Sequence, residues 1–326
     1  MSEATATTTR AFDPRIAALR RFALSITVFN IVGHLFLGFE QAYLTPIVGV
    51  LTAYAVSIGL ETLDAWAVGK RPRYRGSFVK LVDFLLPAHI AGLACAMLLY
   101  GNERLFPTMF AVTVAVSSKY IFRVPVNGSL RHMFNPSNFG ISVTLLLFTW
   151  VSIAPPYHFT EYTGSLVDLL LPGLILAAGT MINAKLTKRT PLIMGWVGGF
   201  IAQAVLRAVF FDHALPSALL ATIGVAFILF TNYMITDPGT TPSAPRDQVI
   251  FGAVTAMVYG VLVVFGITFG LFFALTIVCA GRLVLTLLRP SRPALPPATV
   301  DEPAPEPVAV EVPEPVGAGV GRRDTA

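Results

Sequence analysis

Charged side chains are what this sequence has least of. Asp, Glu, Lys and Arg together make up 13% of 326 residues, roughly half the share found in soluble globular proteins. So little charge cannot keep a large surface hydrated, and a water-soluble domain is excluded. Cysteine is scarcer still. Cys95 and Cys279 both sit inside apolar runs, with no second metal-ligating residue at a usable spacing. A disulfide scaffold and a thiolate metal centre are thereby excluded, and both thiols read as small packing groups. The sequence also has no HExxH, no phosphate-loop motif, no GxGxxG at a strand–helix turn and no cysteine cluster. Hydrolase, nucleoside-triphosphatase and iron–sulfur chemistry lose their support, and no metal site is expected.

Apolar residues are what is abundant. They form 55% of the chain, with 24 Phe and a mean hydropathy of +0.70. Ten apolar stretches, 23–39, 43–65, 78–100, 105–122, 138–154, 166–182, 191–211, 216–235, 249–265 and 268–288, each approach the roughly 20 residues that cross a bilayer as a helix. They predict an all-α polytopic integral membrane protein with about ten transmembrane helices, multi-pass in a cell membrane. Lys and Arg accumulate in short cytoplasmic loops. With the N-terminus inside, all of the 23 Lys and Arg residues except Arg104 and Arg207 fall on the inner side. Both termini are therefore expected in the cytoplasm. The net charge of +5 is spread over short clusters between apolar segments. It reads as orientation in the lipid bilayer, and nucleic acid is not an expected partner.

Three regions follow from composition: a disordered polar start over 1–19, with none of the features of a signal peptide; a transmembrane domain over 20–289; and a Pro/Ala/Glu-rich tail over 290–326. The tail buries too little apolar surface to offset its ordering entropy and is expected to be a disordered cytoplasmic segment.

Two inner loops carry more turn formers and polar groups than a simple connection needs: KYIFRVPVNGSLRHMFNPSN at 119–138 and TDPGTTPSAPRDQ at 236–248. Asn135 before Pro136 and Asp237 before Pro238 are pushed to extended geometry, and Ser137, Asn138, Thr240 and Thr241 can cap the following backbone. Asp237 in particular reads as an organiser of its loop, accepting N–H bonds from 239–241. Each dipeptide alone is ordinary turn punctuation. Four expected spans lie between the loops, an even number, so both face the same side and can form one site.

At these loops the sequence resembles the NqrB/RnfD family, membrane subunits of ion-translocating NADH:quinone and ferredoxin:NAD oxidoreductase complexes. Lys119 followed by FNPSNFG at 134–140 looks like the family's Lys and FNPA stretch. MITDPGTTPSAPRDQVIFG at 234–252 is similar to its TDP-x-T-x-P segment, and LIMGWVGGF at 192–200 is a fainter echo. The resemblance implies a roughly ten-helix subunit, set in a prokaryotic cytoplasmic membrane, that holds flavin, FMN or riboflavin, and passes electrons to redox partner proteins as one component of a complex. Family members carry FMN covalently on the Thr of a Ser-Gly-Ala-Thr motif in an outer loop. The corresponding loop here, PPYHFTEYTGS at 155–165, lacks that motif, and its Thr160 and Thr163 lack the right neighbours. The expected flavin is therefore non-covalent. The family's glycine-rich stretch before FNPA is altered to VPVNGSLRHM, where Arg131 and His132 supply charge and hydrogen bonds instead. With these losses the chain resembles the lone NqrB/RnfD-like proteins associated with enediyne natural-product biosynthesis. In such a site Lys119, Arg131 and Arg246 would favour an anionic reduced flavin or a phosphate. Asn135, Asn138, Thr240 and Thr241 would offer hydrogen bonds to the ring edge.

Ionisable residues inside or at the ends of spans, His34, Glu40, Glu61, Asp64, Asp83, His89, Asp168 and Arg207, are costly in a bilayer and are functional candidates by default. They support an alternative, a small-solute or ion transporter or channel on the same scaffold. Glu61 and Asp64, three apart near the 70–75 basic cluster, read as interfacial ion-pair partners, and His89 as a hydrogen-bonded interior histidine. Gly195 and Gly199 form a GxxxG pair suited to close helix packing.

Overall fold

The computed structural model describes residues 14–126, 129–155 and 164–288. The polar start over 1–13, Thr160 and Thr163 of the 155–165 loop and the Pro-rich tail fall outside the described residues. Of the described residues 75% are helical, and among them are seven helices long and apolar enough to cross a membrane and an eighth such span if a bent pair is counted as one. The long helices are α1 (Pro14–Leu35), α2 (Leu44–Ala67), α3 (Phe78–Leu98), α6 (Ser165–Met181), α7 (Thr190–Phe211), α10 (Pro245–Val264) and α11 (Gly270–Leu288). Two shorter helices lie between α3 and α6: α4 (Phe106–Ile121) and α5 (Pro136–Leu147). The bent pair comprises α8 (Leu215–Leu220), which tightens over Ala221–Ile223, and α9 (Val225–Leu229), with a 63° bend between them.

Every apolar stretch seen in the sequence thus contains helix, but three depart from a simple crossing. At 1.5 Å per residue, the 16 residues of α4 and 12 of α5 reach about 24 and 18 Å, short of a bilayer core of about 30 Å. The chain leaves α5 at Phe148, turns extended, and Ser152–Ile153 (β4) pairs antiparallel with Leu99–Tyr100 (β1) at the end of α3. A second ribbon joins Arg123–Val126 (β2) to Ser129–His132 (β3), with Arg123 opposite His132 and Val124 opposite Arg131. Asn127-Gly128, the dipeptide between these strands, is the strongest short hairpin signal a sequence offers. The ribbons fix the path: α4 leaves the β1/β4 end, the β2/β3 hairpin reverses the chain, and α5 returns.

Local chemistry sets the helix ends. Ser77 caps α3 by accepting the Lys80 N–H at 3.3 Å, and proline opens α4, α5, α7, α8 and α10 near their first turns, where the missing donor does no harm. Gly69 and Gly266 lie in left-handed backbone just beyond α2 and α10.

The core is aromatic and centred on Trp196. Its indole N–H donates to Thr231 Oγ1 at 2.9 Å, and its ring packs among Phe200, Phe227, Phe230 and Tyr259. Helices α7 and α10 touch backbone to backbone beside it. A Cβ on Gly195 would stand 2.3 Å from the Val249 carbonyl oxygen, and one on Gly252 2.5 Å from that of Leu192. The GxxxG glycine therefore does pack a helix closely, as expected. Cys95 and Cys279 are buried free thiols. Large apolar side chains such as Leu24, Leu51, Trp66, Leu146 and Phe210 stand exposed around the helices, a surface that suits lipid and not water.

Candidate functional site

The site is built where the hairpin hands the chain to α5. Asn135 is extended (φ −63°, ψ 121°), as its proline neighbour requires, and caps α5: its Oδ1 accepts the Asn138 N–H at 3.1 Å and the Ser137 hydroxyl at 3.0 Å. Its Nδ2 donates to the Met234 carbonyl at 2.9 Å, at the threshold of the second loop, 99 residues away. Asn138, buried one turn into α5, donates from Nδ2 to the Phe272 carbonyl at 3.0 Å and to Thr276 Oγ1 at 2.9 Å, and so ties α5 to α11. Phe122 packs edge to face on Phe134 and Phe139, which are tilted against each other, with centroids 4.5–5.4 Å apart.

Asp237 organises the second loop, though of the three expected N–H groups only that of Gly239 reaches its carboxylate, those of Thr240 and Thr241 going to its backbone carbonyl. Oδ1 accepts the Gly239 N–H at 3.0 Å, Oδ2 the Thr240 hydroxyl at 3.1 Å, and its backbone carbonyl the Thr241 N–H and hydroxyl at 3.1 and 2.7 Å. This folds the carbonyls of Pro238, Thr240 and Pro242 toward two arginines. Arg189, at the start of α7, donates to Pro238 at 3.2 Å and also to Pro242, while Arg282 of α11 donates to Thr240. The imidazole of His132, from the hairpin, lies against Gly239, where a Cβ would come within 2.8 Å of the ring. Its Nε2 is 4.0 Å from Asp237 Oδ2. The two loops therefore meet.

Electrostatics at this junction are dominated by cations. Burial holds the Arg189 guanidinium below its ordinary pKa, and the nearby positive charges of Arg131 and Arg282 push the same way, opposed by Asp237. Arg189 is 6% exposed, and its Nε is buried without a hydrogen-bond acceptor.

Of the residues expected from sequence, Arg131, Asn135, Asp237, Thr240 and Thr241 converge here. Asn138 adjoins them but faces α11. Lys119 is half-buried on the last turn of α4, and Arg246 is exposed on the first turn of α10. Asp237 has Arg189 as a guanidinium neighbour and forms no ion pair with Arg246 among the described residues. Two contributors had not been singled out, Arg189 and Arg282. Arg282 carried a readable signal, a cation within the apolar run 268–288, which is by default a functional candidate. Arg189 sits in a short basic loop and had none.

Glu61, Asp64, Asp83 and His89 resolve into ion pairs and hydrogen bonds. Arg20 pairs with Asp83 at 2.7 Å, Arg73 grips Glu61 with a closest approach of 2.6 Å, and Arg123 of the hairpin pairs with Asp64 at 2.6 Å. The Glu61 carboxylate holds the Arg73 guanidinium above its ordinary pKa, against the effect of burial. His89 lies between Thr27 Oγ1 at 2.8 Å and the Tyr54 hydroxyl at 2.9 Å, an interior histidine with both ring nitrogens engaged. Among the described residues no group of three His, Cys, Asp or Glu side chains is placed to hold a metal.

In comparisons with known proteins, no family model matches the chain and no curated protein matches it. The likeness to NqrB/RnfD subunits rests on the two loop motifs themselves.

Proposed function

We propose that this chain is an NqrB/RnfD-like electron-transfer subunit of a prokaryotic cytoplasmic-membrane complex, binding a flavin non-covalently where the two motif loops meet. In this reading it crosses the bilayer ten times, with α4 and α5 as its short members and both termini and both loops in the cytoplasm. What carries the reading is the convergence of Arg131, Arg189 and Arg282 on the loop that Asp237 organises.

The residues present fit the anionic part of such a group. A buried guanidinium edge without an acceptor, Arg189 Nε, with two further cations beside it, suits a phosphate or a negatively charged ring. FMN fits better than riboflavin, which has no phosphate. The roles first assigned to the neutral side chains change. The amide and hydroxyl groups of Asn135, Asn138, Thr240 and Thr241 bond to the protein's own backbone and side chains, so their part is to hold the loops in register. A bound flavin would supply one- and two-electron exchange with partner proteins. The chain's own residues would fix its charge with Arg131, Arg189 and Arg282 and exclude water with the Phe122–Phe134–Phe139 cluster.

Absorbance and mass spectrometry of the full chain in mild detergent test this. We expect flavin bands and FMN released on denaturation, reduced in Arg189→Gln protein. Colourless protein with no flavin mass refutes the reading.

A second reading, transport, is favoured by the interrupted helices. Helix α6 widens over Ile182–Thr187 and α9 over Phe230–Met234, and the two wide turns meet where Asn183 Nδ2 donates to the Asn232 carbonyl at 2.8 Å. Wide turns and broken spans recur at transport sites. Ion flux into proteoliposomes, above that of empty vesicles and lost in Asn183→Ala protein, would favour it. Equal flux with and without the protein would remove it.

A further inference from the structure

At the far end of α7 from the loop site lies a cavity of about 380 Å³, bordered by Phe200, Arg207, His213, Ser217, Ala218 and Tyr259 among others. Arg207 is 18 residues along α7 from Arg189, about 27 Å at 1.5 Å per residue, so the two places are separate. Arg207 is 7% exposed. Its Nε donates to Gln203 Oε1 at 2.7 Å, and Nη1 and Nη2 have no protein acceptor among the described residues. Asp212, at the end of the same helix, turns the chain in left-handed backbone, stands exposed and makes no ion pair with it.

That arrangement is rigid. Gln203, itself 2% exposed, donates to the Phe200 carbonyl at 2.8 Å and is pressed by α10 at Gly260, where a Cβ would come within 2.8 Å of Gln203 Oε1. The arginine is therefore anchored through one nitrogen, and His213 and Ser217 are polar side chains that border the cavity with it. Behind it lies an aromatic wall, Phe200 stacked on Tyr259 with centroids 5.4 Å apart. A buried guanidinium in a membrane protein is costly without a counter-charge. Its planar fork matches the two oxygens of a carboxylate or phosphate. The cavity falls within the size range of small-molecule sites.

We propose that this cavity is a second binding site, for an amphipathic molecule whose carboxylate or phosphate head sits on Arg207 and whose apolar body lies against Phe200, Tyr259 and Ala218. Such an anion comes either from the bilayer, as an acidic lipid, or from solution, as a small organic acid. The test uses the full chain in an uncharged detergent. Octanoate binding is measured by titration calorimetry beside octanol, its neutral counterpart, and co-purified phosphatidylglycerol by native mass spectrometry. Arg207→Gln removes the charge, and Ala218→Leu fills the cavity without touching the arginine. Saturable octanoate binding, about tenfold tighter than octanol and lost in both variants, supports the site and identifies a soluble acid. Retained phosphatidylglycerol, lost in both variants, supports it and identifies a lipid. Octanoate binding no tighter than octanol together with no retained lipid overturns the proposal. So does ligand binding undiminished by Ala218→Leu, which decides alone if Arg207→Gln does not fold.

Discussion

Asp237→Ala tests the loop junction most directly. The substitution removes both carboxylate oxygens, leaving the Gly239 N–H without its acceptor at 3.0 Å. An unsatisfied donor in a partly dry place costs about 1–3 kcal/mol. The Thr240 hydroxyl loses its 3.1 Å contact but keeps the Asp237 backbone carbonyl at 3.4 Å, so it adds little. The second loss is charge. Asp237 offsets Arg189 against the repulsion of Arg131 and Arg282, and His132 and Asp237 side chains are 22% and 24% exposed. With that much solvent access, removing the charge costs about 1 kcal/mol and not the several of a dry pair. The sum for alanine is about 2–4 kcal/mol, and for Asp237→Asn, which keeps an acceptor oxygen, about 1 kcal/mol. In a thermal melt of the detergent-solubilised chain these correspond to a fall in Tm of roughly 4–16 °C and roughly 2–4 °C. Alanine within 1 °C or so of the parent would refute the claim that these bonds hold the loop. Asparagine as damaging as alanine would show that the negative charge is what matters, with the turn incidental.

Arg73→Gln takes the guanidinium from Glu61, which keeps the residue-73 backbone N–H and the Tyr120 hydroxyl; the Glu61 side chain is 4% exposed while that of Arg73 is 66% exposed. Between the limits for buried and exposed pairs, a loss of about 1–3 kcal/mol is expected, read as a lowered Tm, and an unchanged Tm would contradict it. Gly195→Leu drives a side chain into the Val249 carbonyl, where even a Cβ stands at 2.3 Å. Overpacking of about 1–3 kcal/mol or failure to assemble is expected, and a normal melting profile would argue against the α7–α10 contact. Ser243→Cys places a thiol at an exposed loop position, while Cys95 and Cys279 are buried at 0% and 1% exposure. A membrane-impermeant maleimide should label it from the cytoplasmic face alone, and labelling of intact cells from outside would reverse the proposed orientation.

The helices were legible because nothing competes with apolar length as a signal. What the sequence hid is where they stop. The apolar stretch at 138–154 reads as one helix, yet α5 ends at Leu147. Phe148 and Trp150 close an aromatic cluster with Phe106 and Phe110, and Arg104 lies over the Trp150 ring at 4.9 Å. Those side chains come from α4 and its approach, so no window on 138–154 alone contains the reason. The bend between α8 and α9 falls at Gly224, a single glycine of the sort that many straight spans tolerate. At the loops the turn chemistry was readable residue by residue, because Asn-Pro and Asp-Pro act through their own neighbours. Partners arriving from 49 and 42 residues away, Arg189 on Pro238 of the Asp237 loop and Arg282 on Thr240, are set by packing of whole helices.

Turn punctuation and a binding site were rival readings of the loops; the hydrogen bonds show the turns, and the arginines those turns hold are what the proposed binding site rests on. The turns aim three backbone carbonyls at Arg189 and Arg282, and a carbonyl holds a guanidinium without cancelling its charge. Compare Arg20, Arg73 and Arg123, each set against a carboxylate within 2.7 Å. Those three are accounted for by stability, since each charge meets its opposite at a helix end. Arg189, bonded to carbonyls with its Nε left over and its charge offset by Asp237 against two further arginines, and Arg207, bonded to an amide beside a cavity, are fixed in place with no salt bridge among the described residues. Packing alone gives no reason to bury a cation so held, because an apolar side chain of similar volume would be as stable or more so. An anion that comes and goes does give a reason, and it is at these two positions, at opposite ends of α7, that ligand binding should respond to loss of an arginine more than stability does.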